Sequence, residues 1–216
     1  MTGYQPDVLA EGLDVVFCGI NPAATAVAAG HNFSHRNNRF WAVLRLAGFT
    51  DTQLRPDDEH QLLQFGCGIT AVVARPTRRA SQIRAQEFRQ ARAGFEAKIR
   101  RWQPQTVAFL GKRALAAMTG TSDIEWGPQP TGFGGTDAWV LPNPSGLNRG
   151  FTGDALVCAY SQLRLAVAGP RASSPAYRHR QVDKPQTSTS GTSARYALTS
   201  STHEDGLVKE YDHGTS

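Results

Sequence analysis

The sequence predicts a three-layer α/β/α domain with a short, mostly parallel central sheet, followed by a tail that has no core of its own. Three observations carry this. Along residues 1–168, short β-branched apolar runs alternate with segments whose apolar residues recur every three or four positions, the pattern of strands joined by amphipathic helices. Polar segments containing Gly and Pro follow the strand-like runs, and in such a sheet the loops leaving the carboxyl ends of the strands form the ligand-binding edge. After Val167 the composition turns abruptly to Ser, Thr, Pro, Gly and His with few large apolar residues, too few to offset the entropy of ordering. Residues 169–216 are therefore expected to form a disordered tail.

The first strand is expected over residues 15–20, where Val15, Val16, Phe17 and Cys18 form an apolar run, and a Gly/Ala/Asn-rich loop over 23–34. A helix over about 38–47 places Phe40, Leu44 and Ala47 on one stripe, and Gly48 stops it. A short helix is expected from Asp58, because Asp58 and Gln61 have capping-box spacing ahead of Leu62 and Leu63; it ends near Gly66. Residues 68–73 are β-branched enough for a strand, with Arg75-Pro76-Thr77-Arg78-Arg79 as the loop after it. The long helix over about 86–101 repeats Phe88, Ala91, Phe95 and Ile99 at helical spacing, and its basic residues form a solvated face. Residues 106–110 and 138–141 supply two more strands, with a helix over 112–118 between them and a last helix over 154–167.

The formal net charge of +5 in 216 residues favours a polyanionic partner without requiring one. Cys18, Cys67 and Cys158 are odd in number and scattered, two of them within apolar runs, and they read as buried thiols of a reducing compartment. No leader-like basic and apolar segment opens the chain, and no stretch approaches the ~20 apolar residues of a membrane span. A cytoplasmic protein is expected.

Two segments carry the chemistry. Gly19-Ile20-Asn21-Pro22 follows the first strand, and Asn143-Pro144-Ser145-Gly146-Leu147-Asn148-Arg149 follows the strand-like Trp139-Val140-Leu141. Taken with Phe33 and the stretch from His35 to Trp41, they make residues from about Val8 to about Val167 resemble the mismatch-specific uracil/thymine-DNA glycosylases. That is the branch of the uracil-DNA glycosylase superfamily with Asn in its first motif.

The resemblance implies a monofunctional glycosylase that flips a uracil opposite guanine out of duplex DNA, with ethenocytosine and thymine as further candidates, in base excision repair. Asn21 would orient the attacking water; an amide can do so but cannot take a proton as a carboxylate can. Ile20, Phe33, Ala26, Ala71 and Asn143 would form the base pocket, with Phe33 stacking on the base. Ala26 stands where a uracil-restricted relative has Ser and a thymine-processing relative has Ala, which would leave room for a 5-substituent, and Ala71 stands where relatives vary among longer polar side chains, which would remove a polar contact. Leu147 would fill the hole in the stack, while main-chain groups of Gly146 and Asn148 pair with the orphaned guanine and Arg149 meets a phosphate or the cavity. Arg36, Arg39, Arg75, Arg78, Arg79 and Lys112 lie on loops or helix starts near strand ends, where phosphates could meet them. The resemblance implies no cofactor, a monomer, double-stranded DNA with G·U or similar mispairs as the partner, and association with the nucleoid when on DNA.

Other readings stay open at this point. A non-catalytic mismatch-binding module on the same fold would share these motifs, and a nucleotide-binding α/β domain is a weaker third. Phe33 could instead be buried by loop folding. His31 and His35 are four apart, but their Gly/Asn/Ser surroundings disfavour a helix and no third ligand is evident, so no metal is expected. Residues 66–71 match a dinucleotide-binding string but precede a strand rather than opening a helix. Gly111-Lys112 lacks the upstream Gly of a phosphate loop, and Ser145 lacks a nucleophile elbow. No Lys in either motif could form a Schiff base, so strand cleavage is not expected.

Overall fold

Four five-residue strands form one sheet in which most residues are buried, as expected of a sheet covered on both faces. The structure is a computed structural model that describes residues 7–168. The strands are β1 (Val15–Gly19), β2 (Cys67–Ala71), β3 (Thr106–Leu110) and β5 (Asp137–Leu141), with a two-residue edge strand β4 (Gly127–Pro128). Their order is β2-β1-β3-β5-β4; the first four run parallel and β4 is antiparallel to β5.

Period-two alternation along the strands splits the core into two layers. Phe17, Ala108, Leu110 and Leu141 face one side, packed with Phe40 and Leu44 of α2 (Phe40–Leu46) and with Leu156, Tyr160 and Leu163 of α5 (Gly153–Ala168). Cys18, Val107, Phe109 and Val140 face the other, under Phe88, Phe95 and Ile99 of α3 (Ala85–Trp102) and Leu115 and Met118 of α4 (Lys112–Thr119). This is the three-layer architecture that the sequence predicts. The N-terminal segment closes the β2 edge by mutual main-chain bonds between Val8 and Ile69, and it passes so close that a Cβ on Gly68 would lie 2.7 Å from the Val8 carbonyl oxygen.

Several expectations need correction. The segment read as a loop over 23–34 contains α1 (Ala24–Ala29), closed by Gly30 at φ 76°. Alanine favours helix, but only Ala26 is buried, so no amphipathic period announces it. The helix expected from Asp58 is a 3₁₀ helix, Pro56–Phe65, beginning earlier. Asp58 lies inside it and accepts the Arg55 N–H at 3.3 Å, while Gln61 donates to Asp58 rather than completing a capping box. Cys18 and Cys67 are buried thiols, but Cys158 is exposed on α5. The expected tail over 169–216 lies outside the described residues. No helix among the described residues is long and apolar enough to cross a membrane.

Candidate functional site

The two motifs begin at equivalent places in the sheet. Asn21 lies two residues past the end of β1, and Asn143 two past the end of β5. They open onto a cleft of about 710 Å3 at the carboxyl edge, within the usual range for a ligand site. Ile20, Asn21, Ala26, Phe33, Ala71 and Asn143 all line it, as do residues 146–149.

The Asn21 side chain is held by the loop after β2. Its Nδ2 donates to the carbonyl oxygens of Arg75 at 2.7 Å and Pro22 at 3.1 Å, and to Thr77 Oγ1 at 2.8 Å. Two of these partners are carbonyls that can only accept, so the neighbours fix which way the amide points. Thr77 Oγ1 in turn donates to the Arg79 carbonyl. Asn21 Oδ1 makes no hydrogen bond among the described residues, leaving an oriented acceptor in the cleft wall. The loop is strapped in place by Thr77 N–H to the Pro22 carbonyl and Ala24 N–H to the Thr77 carbonyl. The Arg75 guanidinium grips Glu87 at 2.9 and 3.0 Å, and this hydrogen bonding holds the Glu87 carboxyl down at about 2.

Phe33 meets Phe40 of α2. Its ring stacks on Phe40 with centroids 4.0 Å apart and a 27° interplanar angle, half-buried against the core while still lining the cleft. The backbone at Phe33 is left-handed, φ 52°, which is unusual for an aromatic residue.

The second loop is braced both from within and by its neighbours. Asn143 donates from Nδ2 to the Leu110 carbonyl at the end of β3 and accepts the Ser145 N–H at Oδ1, so both ends of its amide are engaged. Asn148 Nδ2 donates to the Asn143 carbonyl, and its main-chain N–H donates to the Ser145 carbonyl. Gly146 packs against Asn37 so tightly that a Cβ there would fall 2.5 Å from the Asn37 carbonyl oxygen. Leu147 at the tip is 77% exposed. Below the loop, the buried Tyr160 hydroxyl donates to the Pro142 carbonyl, and burial pushes that phenol up, so it remains a donor.

The basic residues divide differently from the sequence expectation. Arg39 reaches inward: Nη1 donates to the Phe151 carbonyl at 2.8 Å, Nη2 to those of Asn148 and Ser145 at 3.0 and 3.1 Å, and Nε to that of Pro144 at 3.3 Å. Arg75 is paired with Glu87. Lys112 sits over the Trp126 ring at 4.9 Å and 4.0 Å from Glu125. Arg36 is exposed. The titratable side chains that line the cleft are His35, Arg78, Arg79 and Arg149, with neither carboxylate nor Lys among them. The Asn148 main-chain N–H is used inside the loop and its carbonyl is taken by Arg39, whereas the Gly146 main chain makes no hydrogen bond among the described residues.

Such a cleft can orient a water through Asn21, present an aromatic wall at Phe33 and attract a polyanion with arginines. It offers no carboxylate base. The sequence assigns no individual role to Thr77 or Asn37, although Thr77 lies in the polar loop after the second strand and Asn37 in the stretch from His35 to Trp41. His31 Nδ1 lies 3.4 Å from Glu59, and no group of three His, Cys, Asp or Glu that could hold a metal ion occurs among the described residues.

Residues 6–164 match the Uracil DNA glycosylase superfamily. Among solved structures, the chain is similar to a solution NMR structure from Methanosarcina acetivorans, provisionally assigned as a uracil DNA glycosylase. Identity is 18%, the match covers 75% of this chain and 97% of that one, and the TM-score is 0.48.

Proposed function

Because this chain belongs to the uracil DNA glycosylase superfamily, we propose that it is a monofunctional glycosylase of the mismatch-specific branch, acting on uracil opposite guanine in duplex DNA. The observation that carries this reading is Asn21: an amide at a strand end, its nitrogen tied to three acceptors and its oxygen left as an acceptor in the cleft.

In this reading the uracil is rotated into the cleft and lies against Phe33. Water held by Asn21 Oδ1 adds through its oxygen to C1′ as the C1′–N1 bond breaks, and the bonding electron pair leaves with the base. The water's surplus proton goes to solvent or to the departing uracil anion, since the amide cannot take it. Rate then depends on a good leaving group, and uracil is a better one than thymine. With no Lys lining the cleft, no Schiff base forms and the abasic strand stays intact. Leu147 fills the vacated stack, the peptide at Gly146 faces the widowed guanine, and Arg78, Arg79 and Arg149 lie where phosphates approach. Ala26, buried in the cleft wall, leaves space beside the pyrimidine 5-position.

Single-turnover excision of uracil from a G·U duplex tests this. The parent chain is expected to release uracil, and Asn21→Ala to lose roughly a hundredfold or more in rate while duplex binding changes little. Binding to the mispair without release by the parent would assign the chain to non-catalytic mismatch recognition instead.

A further inference from the structure

The turn that carries Phe33 has little sequence reason to hold its shape. It joins α1 to α2 through polar residues, follows a left-handed Gly30, and places Phe33 itself at φ 52°. A left-handed aromatic persists only when its surroundings over-determine it. Stacking on Phe40 fixes the ring but not the backbone that delivers it.

The backbone is fixed from the 3₁₀ helix. Glu59 is only 4% exposed, and one oxygen of its carboxylate, Oε2, accepts both the Asn32 main-chain N–H at 2.8 Å and the Asn32 Nδ2–H at 2.9 Å. The other oxygen lies 3.4 Å from His31 Nδ1. A buried carboxylate is costly unless its lone pairs are used, and here its hydrogen-bond partners belong to the two residues immediately before Phe33. Asn32 and Phe33 both line the cleft.

We propose that Glu59 is a positioning residue of the cleft: its buried carboxylate grips Asn32 and thereby sets the left-handed turn that presents the Phe33 ring as the cleft's aromatic wall. That the group lying against this wall is an unstacked pyrimidine rests on the glycosylase reading; the grip itself does not. Glu59 touches neither the reacting atoms nor the base. Because both Asn32 bonds fall on one oxygen, Gln at this position can keep them, whereas Leu removes them at similar size.

The test is made on the full chain with Glu59→Leu, Glu59→Gln and, in case Glu59→Leu folds poorly, Asn32→Ala, which deletes one of the two bonds. Amide hydrogen exchange at Asn32 and Phe33 is read by NMR, and single-turnover uracil release is read from a G·U duplex, each also in a Phe33→Ala background. Expected are exchange at Asn32 at least ~10-fold faster in Glu59→Leu, a smaller change of the same sign in Asn32→Ala, and near-parental behaviour in Glu59→Gln. Uracil release should fall ~10-fold or more in Glu59→Leu with duplex affinity retained, and that loss should vanish once Phe33 is Ala, because a residue acting through Phe33 has nothing left to position. Unchanged exchange in Glu59→Leu and Asn32→Ala overturns the proposal, as does a loss of release that persists in full without Phe33. A parent chain that releases no uracil, yet whose Asn32 exchange depends on Glu59, overturns the glycosylase reading and upholds the grip.

Discussion

Arg39 separates two physical roles that look alike in sequence. Replacing it with Met keeps the aliphatic stem and deletes the donors to the carbonyls of Pro144, Ser145, Asn148 and Phe151. These bonds are half-buried, so water replaces part of what is lost. At about 1 kcal/mol for each of the three bonds near 3 Å, and less for the 3.3 Å bond, the loss is about 3 kcal/mol. For a chain of this size that corresponds to a fall in Tm of roughly 6–12 °C. Thermal melting of the free protein reads it directly, and the salt dependence of duplex binding reads the alternative. A phosphate-contacting Arg would leave Tm nearly unchanged, and its removal would lower the slope of log affinity against log salt by about 1. An unaltered Tm together with that reduced slope would refute the bracing role drawn from the structure.

Leu147→Ala should leave the unfolding free energy of the free protein within about 0.5 kcal/mol of the parent, because the side chain is already 77% exposed. If Leu147 enters the helix stack, the same change weakens base flipping, read by fluorescence of a base analogue beside the lesion, by about 1.5–3 kcal/mol, the worth of burying a leucine. Burial pushes the Cys67 thiol up to about 12 and the Cys18 thiol higher still, so native alkylation near pH 8 should modify Cys158 alone, with all three cysteines labelled only after denaturation; mass spectrometry of the peptides decides it. The Glu87 carboxyl is held below its ordinary range by Arg75, so this pair stabilises the fold above about pH 4.5 and its contribution disappears as pH falls toward about 2. The stability difference between the parent and Glu87→Gln, followed by denaturant unfolding across that window, should shrink in step; a difference that grows toward low pH would contradict the pairing.

The strands were legible because burial on both faces writes itself as β-branched runs, and the edge of the sheet that bears the motifs followed from where those runs stop. α1 was not legible, since a helix that buries only Ala26 leaves no hydrophobic period. β4 was hidden for a different reason: two residues, Gly127 and Pro128, join the sheet through their partner strand rather than through any propensity of their own. Within the site, the strand-end positions of Asn21 and Asn143 could be read, but what holds them could not. An Arg beside Asn38 looks the same in sequence whether it meets a phosphate or four carbonyls. The stacking of Phe33 on Phe40 could not be read either, because the two rings meet across a turn with positive φ.

The sheet order gives the cleft a fixed gauge. β1 and β5 are not neighbours; β3 lies between them, so the roots of the two motif loops stand two strand spacings apart, about 10 Å. Hydrogen-bonded strands hold that separation far more strictly than any loop could, and Asn143 is tied into it by its bond to Leu110 at the end of the intervening strand. Either loop can therefore lengthen, shorten or exchange its tip without changing the distance between its root and the other's. A ligand engaging both loops has to match a length set by backbone pairing, while its chemical identity is left to side chains that can vary independently on each bank.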